Sequence, residues 1–167
     1  RLRKPLEKLR PPSITELVLS NDGDRILEGC LTNFFVVCFK SGLESFKHIE
    51  IQSAPVADGV LPGVIRQVIK ETCFKMGLSF REIAPSWSSR GSWIEAFITS
   101  SLRIVQPVET IRAPVLPWDS IESNDDWKEI SWVEKRFQGC CPGRITAILQ
   151  KEVMKAASVE SLSMASL

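Results

Sequence analysis

The sequence has almost no net charge to draw it to a nucleic acid or an acidic membrane surface. Its 21 Lys and Arg stand against 20 Asp and Glu, a formal net charge of +1, so no strong overall field attracts polyanions. No apolar run approaches the roughly 20 residues that a membrane-spanning helix needs. No secretory signal is visible, and the first residue is Arg1 rather than Met. That start predicts a natural product extending upstream, where any targeting peptide would also lie. There is one histidine, His48, and five cysteines, Cys30, Cys38, Cys73, Cys140 and Cys141. The adjacent pair Cys140-Cys141 lacks C-x-x-C spacing, and a single His argues against a metal cluster. The odd, scattered cysteine set favours thiols in a reducing intracellular compartment over a disulfide framework. A P-loop lysine and a G-x-G-x-x-G are also missing, so no nucleotide fingerprint is present. No internal repeat is apparent.

What is present suits a soluble globular domain. The chain has 167 residues, 44% apolar and 25% charged, enough for a single domain with a true core. Arg1 to Arg10 reads as a short helix, with Leu2, Leu6 and Leu9 on one face and Arg and Lys on the other, stopped by Pro11 and Pro12. Glu16 to Ser20 and Arg25 to Glu28 read as paired strands about the turn Asn21-Asp22-Gly23. Asn33 to Lys40 is a nearly continuous apolar strand, expected to be buried on both faces. His48 to Gln52 is a weaker strand, and Ala54 to Gly63, with its prolines and glycines, is a loop. A helix is predicted from Val64, with Val64, Val68, Ile69, Cys73 and Met76 on one face and Gly77 ending it.

Ser79 to Ile83, Ala96 to Ser100 and Ile104 to Ile111 read as further strands. Pro114 to Gly143 reads as a long surface connection, with a helical turn around Trp127 to Val133. A last helix is expected from Gly143 to Ala157, with Ile145, Ile148, Leu149 and Val153 on one face. Ser158 to Leu167 reads as a flexible tail. This order of elements predicts an α+β fold, with one domain over 1–157 followed by the tail.

Three segments carry possible chemistry. Glu28-Gly29-Cys30-Leu31-Thr32-Asn33 ends a hairpin strand on a carboxylate. Such a group is costly to bury without a partner. A protonated ring nitrogen would be one partner, and solvent at a turn is the plainer alternative. Asp58 to Arg66 is a Gly- and Pro-rich loop feeding a helix, whose free N-terminal amides favour an anion. Phe97 to Val108 is a strand that stops at Thr99, Ser100 and Ser101 before a new strand begins. Those hydroxyls suit a phosphate or carboxylate, and Arg103 suits a bidentate bond to a carboxylate. Taken singly, each segment is also an ordinary turn or loop.

In joint order and spacing the three segments resemble the class IV, or fold-type IV, pyridoxal-phosphate aminotransferases. That family includes branched-chain and D-amino acid aminotransferases and aminodeoxychorismate lyases. The resemblance runs through Glu28-Gly29, Asn33-Phe34, Leu61-Pro62-Gly63-Val64-Ile65-Arg66, the Thr99-Ser100-Ser101 turn with Pro107-Val108, and Gly143-Arg144-Ile145-Thr146. It implies the family's C-terminal large domain, a sheet or pseudo-barrel with flanking helices.

It also implies roles. Glu28 would pair with the pyridine nitrogen of pyridoxal 5'-phosphate, and Leu61 would pack on the ring. Thr32 and Asn33 would stand behind the ring. The amides of Val64 and Ile65 and the hydroxyl of Ser101 would hold the phosphate, and Leu102 and Arg103 would lie near the substrate carboxylate. Arg103 departs from the small residue common in branched-chain enzymes, and Ile65 replaces a common threonine. The resemblance places the Schiff-base lysine and a small N-terminal domain upstream of these residues, so no catalytic lysine is assigned here. It implies amino acid and 2-oxo acid substrates and a homodimer. A lyase variant of the same site, a non-catalytic cofactor-binding or dimerising module, and a basic peptide-binding helix at Arg1 to Arg10 are the competing readings.

Overall fold

The computed structural model describes residues 11–40, 48–115, 127–137 and 142–164, with side chains to 156 in the last segment. The predicted first helix, the Ser41-Gly42 turn, Cys140 and Cys141 lie outside the described residues. Strands β1 (Val18–Ser20) and β2 (Ile26–Gly29) form an antiparallel hairpin. Its turn has Gly23 at φ 78°, a conformation glycine adopts without steric cost. The Asp22 carboxylate accepts bonds from the backbone N–H groups of Asp24 and Arg25 and from the Arg25 side chain. The Arg25 side chain, first among these, holds its carboxyl below the usual carboxylate range.

Strand β3 (Asn33–Phe39) is the centre of a seven-stranded sheet. One edge pairs with β6 (Trp93–Ser100) from Asn33 to Cys38. The other pairs with β2 at Asn33 and then with β4 (Ile49–Ser53) from Val36 to Phe39. Strand β5 (Ser79–Glu82) runs parallel to β4, and the crossover between them carries helix α1 (Val64–Lys75). Strand β7 (Ile104–Val108) pairs with β6 on the far side. Strand β8 (Thr110–Pro114) pairs with β9 (Trp132–Arg136) in a separate two-stranded ribbon. Helix α2 (Arg144–Met164) ends the described chain.

Two apolar layers explain why β3 is buried on both faces. On one, Phe35, Val37 and Phe97 pack with Ile69 and Cys73 of α1 and Ile145, Leu149 and Val153 of α2. The Phe35 and Phe97 rings stack with centroids 4.7 Å apart. On the other, Phe34, Val36, Ala96 and Ile98 pack with Ile26, Trp93 and Ile111. Burial pushes the Cys38 thiol up to about 11 and the Cys73 thiol up to about 12, so both are poor nucleophiles.

Four sequence readings are revised. The run Ile104 to Ile111 is broken at Glu109, because Ile111 leaves the main sheet to cover its second face. The connection after Pro114 has a turn at 127–129, within the expected helical turn, but then forms the unexpected strand β9 from Trp132. Val64 and Met76 are not on the buried face of α1 but exposed; Val64 opens the helix, ahead of its first packed turn. Helix α2 continues to Met164, through part of the segment read as a tail. No described helix is long and apolar enough to cross a membrane.

Candidate active site

The C-terminal end of β6, the start of β3 and the start of α1 meet at a cavity of about 150 Å³. It is lined by Leu31, Thr32 and Asn33, by Leu61, Gly63, Val64 and Ile65, and by Thr99, Ser100 and Ser101. The three segments singled out in the sequence are thus brought together. The pairing of β3 with β6 sets Asn33 opposite Thr99. The crossover that α1 makes from β4 to β5 then lays its N-terminus beside them.

The loop before α1 is held by two hydrogen bonds at one residue. The Leu61 N–H donates to Glu28 Oε2 at 2.9 Å, and Asn33 Nδ2 donates to the Leu61 carbonyl at 2.8 Å. Gly63 is required by close approach, since a Cβ there would run into Asn33 Oδ1. The first intrahelical bond of α1 runs from Gln67 N–H to the Gly63 carbonyl. The amides of Val64 and Ile65 therefore precede the helical ladder, and no acidic residue stands in the first turn. With the helix dipole behind them, they form an anion-favouring end of the cavity.

Glu28 sits beside the cavity rather than in its lining. Its Oε1 has no partner among the described residues, which leaves one carboxylate oxygen available. Thr32 and Thr99 are 3% and 1% exposed, and neither hydroxyl has a hydrogen-bond partner among the described residues. A buried, unpaired hydroxyl costs about 1–3 kcal/mol, so two of them in one cavity mark where a polar ligand would sit. A ring-bearing phosphate fits these residues: a carboxylate beside the cavity, and in its lining free helix amides, the Thr99 and Ser101 hydroxyls and apolar Leu31, Leu61 and Val64.

Leu102 and Arg103 do not line this cavity. Leu102 is 95% exposed. Arg103 borders a neighbouring open groove with Gln150, Lys151 and Met154, and its Nη1 lies 3.4 Å from Glu16 Oε2. Glu16 Oε1 also accepts from the Cys30 N–H at 3.1 Å, so Glu16 ties the loop after β2 to the turn after β6. Ile104 leaves that turn at φ 55°, a strained backbone for a β-branched residue. Sequence reasoning missed Glu16 and the close approach that requires Gly63, and it left Thr99 as one of three candidate hydroxyls. The Thr99-Ser100-Ser101 run was visible, but which hydroxyl turns inward depends on the register of β6.

The sequence profile of class IV amino-transferases matches residues 8–111, a span that contains all three cavity-lining segments. This chain belongs to the class IV aminotransferase family. A comparison with curated proteins yields no match. Among solved structures the class IV fold is shared with a hypothetical aminotransferase from Mycobacterium tuberculosis, at a TM-score of 0.60 and 15% identity over 93% of this chain and 42% of that one. The same hypothetical aminotransferase in its PLP-bound form gives 0.59 and 14%, over 93% and 42%. A branched-chain aminotransferase from Thermoproteus uzoniensis gives 0.55 and 18%, over 84% of this chain and 36% of that one. The class IV chain thus spans about two fifths of the length of these structures, and its β-sheet with two packed helices is the fold-type IV arrangement.

Proposed function

We propose that this chain supplies the cofactor-holding half of a pyridoxal-phosphate-dependent aminotransferase, with residues 1–157 as its domain. An amino acid and a 2-oxo acid are the substrates, and a homodimer is the working unit. The observation that carries this reading is one cavity lined by the α1 N-terminus and two unpartnered buried hydroxyls, with Glu28 hydrogen-bonded to its lining residue Leu61. Bound pyridoxal phosphate supplies a ring that draws electrons from the substrate Cα.

The chain's own residues orient and charge that ring. Glu28 Oε1 accepts the proton-bearing ring nitrogen while Oε2 keeps the Leu61 loop in place. Leu61 presents an apolar surface to the ring, and Thr32 and Asn33 stand behind it. The Val64 and Ile65 amides and the Ser101 hydroxyl receive the phosphate. Leu102 and Arg103, in the turn beside the cavity, face the substrate carboxylate once Arg103 leaves Glu16.

Amino transfer is tested by incubating the intact protein with pyridoxal phosphate, a panel of L- and D-amino acids and a 2-oxo acid acceptor. The expected result is acceptor-dependent conversion of the donor to its 2-oxo acid, with equal formation of the acceptor's amino acid. Cleavage of an amino-substituted chorismate without any acceptor would favour the lyase variant. Cofactor binding without turnover would favour a non-catalytic module.

A further inference from the structure

We propose that Thr99 is a further phosphate-holding residue of this pocket, donating its hydroxyl to the dianionic group at the α1 N-terminus. This deepens the cofactor reading above and rests on it. Ser101, the hydroxyl residue assigned by resemblance, sits in the exposed turn. Thr99 is the one that the fold buries.

Three observations point the same way. The Thr99 hydroxyl is fully buried, unpartnered, and part of the cavity wall. Its side chain lies on the face of β6 that carries Phe97, which packs against α1 and α2, because alternate residues of a strand share a face. Its cross-strand neighbour Asn33 lies so close to Gly63, the residue just before α1, that no Cβ fits between them. Thr99 is therefore at the helix-N-terminal end of the cavity. The other unpartnered hydroxyl, on Thr32, lies against Gly29, the residue after Glu28. Among the described residues the lining includes no Lys, Arg or His, so the phosphate contacts it offers are amides and hydroxyls. A buried hydroxyl among them carries correspondingly more weight.

The test is a set of titrations on the intact protein, wild type against Thr99→Val and Thr99→Ser. The probes are pyridoxal phosphate, pyridoxal without phosphate, and inorganic phosphate as a competitor. Valine keeps the shape and removes the hydroxyl, whereas serine keeps the hydroxyl. A bond from a hydroxyl to a charged group is worth enough to change affinity about tenfold. Thr99→Val is expected to weaken pyridoxal phosphate and inorganic phosphate by about that factor, to leave pyridoxal unchanged, and to be rescued in Thr99→Ser.

Equal affinities in wild type and Thr99→Val overturn the proposal, as does an equal loss for pyridoxal and its phosphate, which would put the hydroxyl on the ring. If valine prevents folding, Thr99→Ala is read by the same ratio of pyridoxal phosphate to pyridoxal affinity. A wild-type protein that binds neither pyridoxal phosphate nor phosphate sinks the cofactor reading itself. A wild type that binds, with an unchanged Thr99→Val, sinks only the role of Thr99.

Discussion

The Glu28 carboxylate and the backbone of Leu61 are joined by a 2.9 Å hydrogen bond across 33 residues of sequence. One oxygen of Glu28 fixes the loop that enters α1, and the other is left for a ligand. Glu28→Gln preserves the shape and one acceptor for the Leu61 N–H, so the unfolding free energy should change by less than about 1 kcal/mol. Amino transfer should fall on the order of 100-fold, because an amide stabilises a protonated ring nitrogen far less than a carboxylate does. Steady-state kinetics and a denaturant melt separate the two effects. Equal losses of stability and activity would make Glu28 merely structural.

Asn33 and Gly63 form a coupled pair. In Gly63→Ala the new methyl group runs into Asn33 Oδ1, and the overpacking should cost about 1–3 kcal/mol. Asn33→Ala should cost about 1 kcal/mol through its lost bond to the Leu61 carbonyl. In the double mutant the clash is gone, so the combined cost should be smaller than the sum of the two. A double-mutant cycle on thermal unfolding measures this, and strict additivity would contradict the close approach.

Much of this arrangement was legible in sequence, because its signals are local. The apolar run Asn33 to Lys40, the Asn21-Asp22-Gly23 turn and the Gly-Pro loop into a helix each reflect short-range chemistry, and each lies in the structure where it was read. The parts that were not legible depend on contacts made elsewhere. Strand β9 sits in a Pro-, Trp- and Asp-rich stretch without steady alternation and exists through its pairing with β8. Val64 fits the apolar spacing of α1 yet stands at the helix mouth, 72% exposed. Glu16 reads as an ordinary strand residue until the fold brings Cys30 and Arg103 to it.

Glu95 is another residue whose role only the fold shows. It lies on β6 and is buried, and it accepts bonds from the Ile145 N–H at 2.9 Å and from the Thr146 N–H and hydroxyl, both at 2.7 Å. It caps α2 from a different element, and Gly143 leaves room for its carboxylate. Glu95→Ala removes a cap with charge-assisted bonds and should destabilise the protein by about 3 kcal/mol. Thermal unfolding is the measurement, and a loss under about 0.5 kcal/mol would show that α2 docks without it.

Glu82 sets an acid limb of stability. Lys70 first, and then the buried Arg66, hold its carboxyl below the usual carboxylate range. With the folded value depressed, the stabilisation is present above the unfolded value near 4.5. It is lost as pH falls through the folded value. Glu82→Gln should therefore flatten the dependence of unfolding free energy on pH below about 4.5 and leave the slope above pH 6 unchanged. Melts across that range test this, and a wild-type slope in the variant would exclude Glu82 as the source.

The account depends most on the cavity holding pyridoxal phosphate against Glu28. The direct measurement is the absorbance of the intact protein with pyridoxal phosphate, wild type and Glu28→Gln, before and after borohydride reduction, followed by peptide mapping. The account predicts a bound-cofactor band in the wild type, fixation by borohydride on one lysine, and a shifted band in the variant. No band in the wild type, or identical spectra in the two proteins, would contradict it.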